Sequence, residues 1–348
     1  MPVKPAPRSI CLLRLSALGD AVHALALVRD LQQAFPGVPI TWVIGKGEAK
    51  LLEGLDGVEF VVFDKKAGLA AWRELRARMA GRRFDVLLNM QLALRAGLAS
   101  TAIPARRRIG YDRGRGKEGH GLFINERIPS GGHHVQDAFR QFLLPLGVTP
   151  GPVQWRLPVP EDAHRWAAEQ LPGNTPTLLV SPCSSHVLRN WRPERYAAVA
   201  DHAASRGWRV ALCGGRSALE RETADAILAA MQAPAVDLVG KDTLKQLLAL
   251  LARASLVLTP DSGPTHLANA MGTAVLGLHA CTDAERSGPY SDLRWTVNHY
   301  DQAARQFLGK PASALPWGKR VEFPGVMDLV QVDEVLARFD AYNAQAGA

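Results

Sequence analysis

ASLVLTPDSGPTHLANAMGTAVLGLHACTD, residues Ala254–Asp283, sets two apolar runs around one polar turn. Ser255–Leu258 is apolar after its first residue and ends in Thr259-Pro260-Asp261-Ser262-Gly263-Pro264. A helical pattern opens near Thr265 and runs to about Met271, and a second apolar run, Ala274–His279, follows Gly272. The spacing predicts strand, tight turn, helix and strand, one βαβ unit of a parallel sheet. In open sheets of this kind ligands bind beyond the carboxyl ends of the strands. Gly263 allows a close backbone approach, and Pro264 suits the first position of a helix. The N–H groups at that helix start suit an anionic phosphate. Asp261 and Ser262 either cap the helix or reach a ligand hydroxyl, and His266 lies in the first turns on the crevice side.

The same grammar extends in both directions. Strand patterns at Ile10–Leu15, Ile40–Ile44, Val58–Phe63 and Val86–Met90 alternate with helical patterns at about Asp20–Phe35, Glu48–Glu53, Ala67–Ala80 and Ala93–Thr101. Arg107–Gly110 and Leu122–Arg127 read as strands bracketing the loop DRGRGKEGHG, with a helix from about His134 to Leu146. Gly147–Pro160 holds four prolines and reads as a linker. Strands at 177–181, 209–213, 235–239, 255–259 and 275–279 then repeat the pattern, with helices between them. Beyond Asp283 the chain reads as loop up to a final helix, Asp328–Tyr342. The expected fold class is α/β, with two Rossmann-like domains, residues 1–157 and 158–325, and a terminal segment, 326–348.

Composition narrows the function. At 348 residues, 47% hydrophobic and 21% charged, the chain has room for two domains of ordinary size. No apolar run approaches the roughly 20 residues of a membrane helix, and the N-terminus carries no signal-peptide pattern. Four scattered cysteines without a C-x-x-C predict reduced thiols in a cytoplasmic protein. The net charge of +8 is unevenly spread. Residues 1–150 hold 22 Lys/Arg against 13 Asp/Glu, and residues 151–348 hold 19 against 20. A basic half beside a neutral one suits an anionic partner, nucleic acid or an anionic lipid surface, or is simply a solvated basic face.

Three further turns carry polar groups. Leu12-Leu13-Arg14-Leu15-Ser16-Ala17-Leu18-Gly19-Asp20-Ala21-Val22-His23 puts a carboxylate, Asp20, where a strand gives way to a helix, as a cap or as a group facing the crevice. Ser181–Trp191 follows a strand end with Ser184, Ser185 and Arg189, hydroxyls and a guanidinium that suit a diphosphate. Cys213-Gly214-Gly215-Arg216-Ser217-Ala218-Leu219-Glu220 pairs glycines, which let a nucleoside approach the backbone, with a glutamate able to accept from ribose hydroxyls. Phosphate-loop, dinucleotide and G-x-S-x-G signatures are incomplete, and the His, Asp and Glu residues show no metal spacing and no D-x-D.

In combination, Asp261-Ser262-Gly263-Pro264-Thr265-His266-Leu267-Ala268-Asn269-Ala270, the Asp20 motif and Gly240-Lys241-Asp242-Thr243-Leu244 resemble glycosyltransferase family 9, the lipopolysaccharide heptosyltransferases. Weaker matches are Asn89–Arg95, against a D-x-Q-G-x-x-R/K-S segment, and Arg108–Asp112, against R-x-G-F/Y. The resemblance covers about residues 10–282 and implies a GT-B fold, two Rossmann-like domains facing a central cleft, with the last helix packing back on the N-terminal domain. It implies Asp20 as catalytic base, and Ser184, Ser185, Arg189, Glu220, Asp261, Ser262, Gly263 and His266 as donor-binding residues. Ser184, Ser185 and Arg189 stand where the family carries two threonines and a lysine. Gly19, His23, Gln91, Arg95, Arg113, Arg115 and Lys117 are the expected acceptor side. The implied reaction moves a heptose, from ADP-heptose, to an anionic core glycolipid such as Kdo-lipid A, with inversion and without a metal or other cofactor. The expected location is the cytoplasm, peripheral on the inner membrane, with no nucleic acid partner. Two other readings stand beside it: a GT-B enzyme with a different donor, a mannosyltransferase or an epimerase, and a non-enzymatic binder of nucleic acid or anionic membrane.

Overall fold

Ile10–Leu13 (β1) is buried along its whole length, as expected of a strand covered by helices on both faces. It sits inside a six-stranded parallel sheet. The following elements are α1 (Leu18–Ala34), β2 (Ile40–Ile44), α2 (Lys46–Leu51), β3 (Val58–Val62), α3 (Leu69–Arg78), β4 (Phe84–Asn89), α4 (Leu94–Ser100), β5 (Ala105–Gly110), β6 (Glu126–Arg127) and α5 (Val135–Arg140). The strand order is β3-β2-β1-β4-β5-β6. Connections run outward in opposite directions from β1 and β4, so the topological switch point, where a crevice opens, lies between those two strands. The computed structural model describes residues 5–346 and divides into two units, one ending at Pro158 and the other starting at Val159.

The second unit repeats the first. Its elements are α6 (Glu161–Gln170), β7 (Thr177–Val180), α7 (Pro193–Ser205), β8 (Arg209–Leu212), α8 (Ala218–Ala230), β9 (Val236–Asp237), α9 (Leu244–Arg253), β10 (Leu256–Pro260), α10 (Gly263–Ala270), β11 (Ala274–His279), α11 (Ala284–Ser287), β12 (Val297–Asn298), α12 (Tyr300–Leu308) and α13 (Val332–Ala346). The order β12-β11-β10-β7-β8-β9 is again parallel throughout and places the switch point between β7 and β10. Both opening stretches of the sequence reading therefore end at a switch point: Asp20 follows β1, and Asp261 follows β10.

The structure departs from expectation at several elements. The strand expected over Leu122–Arg127 is a 3-10 turn at His120–Phe123, and only Glu126–Arg127 joins the sheet, beside β5. Gly119, at φ 70°, starts that turn and accepts from the Leu122 N–H. The helix expected to run to Leu146 ends at Arg140 and tightens into a 3-10 turn, because Pro145 supplies no N–H and its ring crowds the carbonyl four residues back. The region read as loop after Asp283 holds α12, whose buried Tyr300, Ala303 and Ala304 follow helical spacing.

The last helix, α13, belongs to the second unit. Its contacts lie on the second unit, where Phe339 is fully buried against Trp208 and His202. The Tyr342 hydroxyl donates to the Ser255 carbonyl at 2.6 Å, and Trp208 Nε1 donates to Asn343 Oδ1 at 2.8 Å. Two aromatic anchors and two directional bonds hold α13 against α7 and the edge of that sheet.

Candidate active site

In the second unit the loops after β7 and β10 meet. Ser184 folds its own loop: its Oγ accepts from the His186 N–H and donates to the His186 carbonyl, and its N–H donates to Asn190 Oδ1 at 2.7 Å. Its hydroxyl is thereby committed, whereas Ser185 is exposed. The turn presents Arg189, only 12% exposed at its side chain, toward Asp261, with Nη1 3.8 Å from Asp261 Oδ2. Behind it, Arg189 Nε and Nη2 both donate to Glu322 Oε1, at 2.9 and 2.7 Å. Burial pushes the Asp261 carboxyl up, but His279, His266, Arg189 and a hydrogen bond from Thr282 bring it below its ordinary value. Neither Asp261 nor Ser262 caps α10: its N-cap, Ser262, makes no capping bond and its hydroxyl pairs with Thr259 Oγ1 at 2.9 Å. Gly263 is the first helical residue, followed by Pro264. The start of α10 thus faces the crevice with its N–H groups uncapped by a side chain.

Glu220 lies one strand over, after β8. Its Oε1 accepts from the Gly215 N–H at 2.6 Å and its Oε2 from the Ser217 hydroxyl at 2.7 Å. A Cβ on Gly215 would come within 2.8 Å of that carboxylate, so the glycine is what lets Glu220 fold over the turn. Here the carboxylate is closing the start of α8, the plainer of its two possible roles.

In the first unit, Asp20 occupies the first turn of α1, where Ala17, at the N-cap, has no side chain to offer. Asp20 Oδ2 accepts from the Ala17 N–H at 3.1 Å and is ion-paired with Arg14 Nη2. Both contacts use Oδ2, which leaves Oδ1 without a hydrogen-bond partner among the described residues. Burial raises the Asp20 pKa, and the Arg14 charge, the Ala17 N–H, His23 and the Arg14 hydrogen bond outweigh it, so the group stays below the ordinary carboxylate value. Arg14 is itself fixed: Nη1 donates to the Met90 carbonyl at 2.5 Å and the guanidinium lies 5.0 Å from the Phe139 ring centre. Gln91 ties β4 to the same loop, accepting from the Leu15 N–H at 2.7 Å and donating to Ser16 Oγ at 3.2 Å. A carboxylate held ionised at a switch point, with one oxygen tethered, can take a proton from a hydroxyl presented to it.

Comparison with known proteins decides what this pair of sites belongs to. The model of glycosyltransferase family 9 (heptosyltransferase) matches residues 72–315. The chain belongs to glycosyltransferase family 9. It is 38% identical over 338 residues, 96% of each chain, to the lipopolysaccharide core heptosyltransferase OpsX of Haemophilus influenzae. Among solved structures, a family 9 glycosyltransferase from Veillonella parvula matches with TM-score 0.80 and 19% identity over 99% of both chains. The E. coli ADP-heptose lps heptosyltransferase II matches at 0.71 and 20%, over 98% of this chain and all of the other. These likenesses establish the GT-B fold.

Within this glycosyltransferase the candidate residues sort by surroundings. Asp20 and Gly19 share the first turn of α1, while His23 is 3% exposed and faces inward, its Nδ1 2.8 Å from Gln136 Oε1. His23 is thus turned away from solvent, and its charge is one of the influences that lower the Asp20 carboxyl. Arg95, Arg113 and Lys117 are exposed. Arg115 is not available to an acceptor: it is 5% exposed, paired with Asp112, and donates to the Pro129 carbonyl and to Gln141 Oε1 at 2.7 Å. It staples the basic loop rather than displaying charge. Two partners were missed. Arg14 had a visible signal, a cation inside the apolar run Leu12–Leu15. Glu322, 133 residues from Arg189, had none.

Proposed function

We propose that this enzyme transfers a heptose from ADP-heptose to an anionic lipopolysaccharide inner-core acceptor such as Kdo-lipid A, inverting the anomeric centre without a metal. The observation that carries the reading is the meeting of Arg189, Asp261 and the uncapped start of α10 at the switch point of the second sheet. A diphosphate there would receive charge-assisted bonds from Arg189 and sit at the positive end of the helix dipole. Both would stabilise the charge that builds on the departing nucleoside diphosphate, the role a metal plays elsewhere. Ser185, Ser262 and His266 would complete the donor contacts, with Glu220 turning from Gly215 to the ribose.

Asp20 would remove the proton from the attacking acceptor hydroxyl. Its lowered pKa makes it a weak base, so the proton moves late, once the forming C–O bond has made the hydroxyl acidic. Arg14 keeps it ionised and aimed. Direct displacement by a hydroxyl on the face opposite the leaving group gives inversion. The acceptor would lie over the first unit, where Arg95, Arg113 and Lys117 suit its phosphates and carboxylates. The chain's similarity to a lipopolysaccharide core heptosyltransferase and to an ADP-heptose lps heptosyltransferase supports both substrates. This reading puts the enzyme in the cytoplasm, at the inner membrane surface, with no nucleic acid partner. A screen of nucleotide sugars against a purified core-lipid acceptor tests it. Heptosylated product from ADP-heptose is expected; product from a different nucleotide sugar alone would replace the donor assignment.

A further inference from the structure

We infer that the face formed by α4 and the His120–Phe123 turn is a docking surface for an anionic lipid bilayer. Three leucines stand out of it: Leu94 is 48% exposed, Leu98 53% and Leu122 85%. Scattered apolar residues on a surface are ordinary, but contiguous ones mark contact sites. These three stand on two elements that pack together. Leu94 and Leu98 are one helical turn apart and share a face of α4. The turn that carries Leu122 packs on the same helix, with the Phe123 ring filling the space a Cβ on Gly97 would need. The Leu94 N–H donates to Glu118 Oε2 at 2.7 Å, which ties the helix to the loop leading into that turn.

Cations ring the leucines. Lys117 is exposed just before the turn, Arg95 follows Leu94, and Arg95 Nη1 donates to the Lys65 carbonyl at 3.2 Å beside exposed Lys66. The nearby acids are engaged, Glu118 with the Leu94 N–H and Asp64 with the Lys66 N–H. Apolar tips among Lys and Arg are the composition of a surface that lies in a membrane interface, where anionic headgroups attract the cations. A nucleic acid would use the cations and leave three exposed leucines without a role, so the bilayer is favoured. No helix among the described residues is long and apolar enough to cross a membrane, so the contact is peripheral. All these elements follow β3, β4 or β5 at the carboxyl edge of the sheet, the edge at which Asp20 follows β1. The inference rests on the transferase reading only for its purpose, which is to bring a lipid-borne acceptor to that edge.

The test is flotation of the full chain with vesicles of phosphatidylcholine alone and with phosphatidylglycerol added, at low and high salt. Binding is expected only with the anionic lipid, weakened by salt. The triple variant Leu94→Ser, Leu98→Ser, Leu122→Ser should lose at least about tenfold in partitioning. Its melting temperature and its turnover on a deacylated, soluble acceptor should match the parent. Unchanged partitioning of the triple variant would overturn the inference, as would a parent that ignores anionic vesicles or binds duplex DNA more tightly than them. Turnover on the soluble acceptor is read separately, so a failed docking surface and a failed transferase assignment give different results.

Discussion

Arg189 shows how one side chain can serve a site and be held by its neighbours. Glu322 takes two of its donors, and the remaining edge faces Asp261. If that edge meets the donor diphosphate, Arg189→Ala should weaken ADP binding by about 1.5–3 kcal/mol, the value of hydrogen bonds to a charged group. Calorimetric titration of folded protein checks this, and unchanged affinity would remove Arg189 from the site. Asp242, in the loop after β9, offers a pH test. Burial raises its carboxyl to about 6, and Arg216 and its own backbone N–H offset only part of that. A carboxyl with a raised folded value binds its proton more tightly when folded. Stability therefore falls as pH rises from near 3.9, the unfolded value, to about 6, and stays lowered above it. Asp242→Asn should raise the melting temperature by roughly 2–4 °C at pH 8 and by little near pH 4. An equal shift at both pH values would contradict the burial argument.

Among the elements, the strands beside each switch point were legible because they are short, mostly apolar and closed by polar turns. That rule marked Asp20 and Asp261 as caps or crevice groups, and the family resemblance supplied their roles. What was not legible came from turn geometry and from distance along the chain. Pro145 ended a helix that periodicity would have continued, and the turn after Gly119 replaced the start of a strand expected over Leu122–Arg127. The loop Arg113–Lys117 read as uniformly basic, yet Asp112 turns Arg115 inward and leaves Arg113 and Lys117 outside. The two arginines should therefore respond differently to mutation. Arg115→Ala leaves Asp112 buried without its partner and should cost about 3–5 kcal/mol of stability. Arg113→Glu should leave the melting temperature unchanged and raise the acceptor KM roughly three- to tenfold at low salt. Denaturation midpoints and acceptor kinetics on the two variants separate the roles; the reverse pattern would undo the assignment.

At the scale of the whole molecule, two sheets share one topology, one carrying a tethered carboxylate and the other the turn proposed to bind the donor phosphates. The uneven charge follows the same division, since the basic half is the one proposed to hold an anionic acceptor. The repeat was readable from the alternation of strands and helices on either side of the proline-rich linker. The seat of α13 was not, because only its contacts with Trp208 and Ser255 decide it. Asp20 is proposed to act on the reacting hydroxyl rather than merely to hold the start of α1. Asparagine can still accept from the Ala17 N–H but cannot take the proton. The decisive measurement is turnover of Asp20→Asn with ADP-heptose, taken with its donor dissociation constant and melting temperature. A loss of about a hundredfold or more in turnover, at nearly unchanged donor affinity, is expected. Turnover within a few-fold of the parent, in a variant that is folded and binds donor, would contradict that role for Asp20.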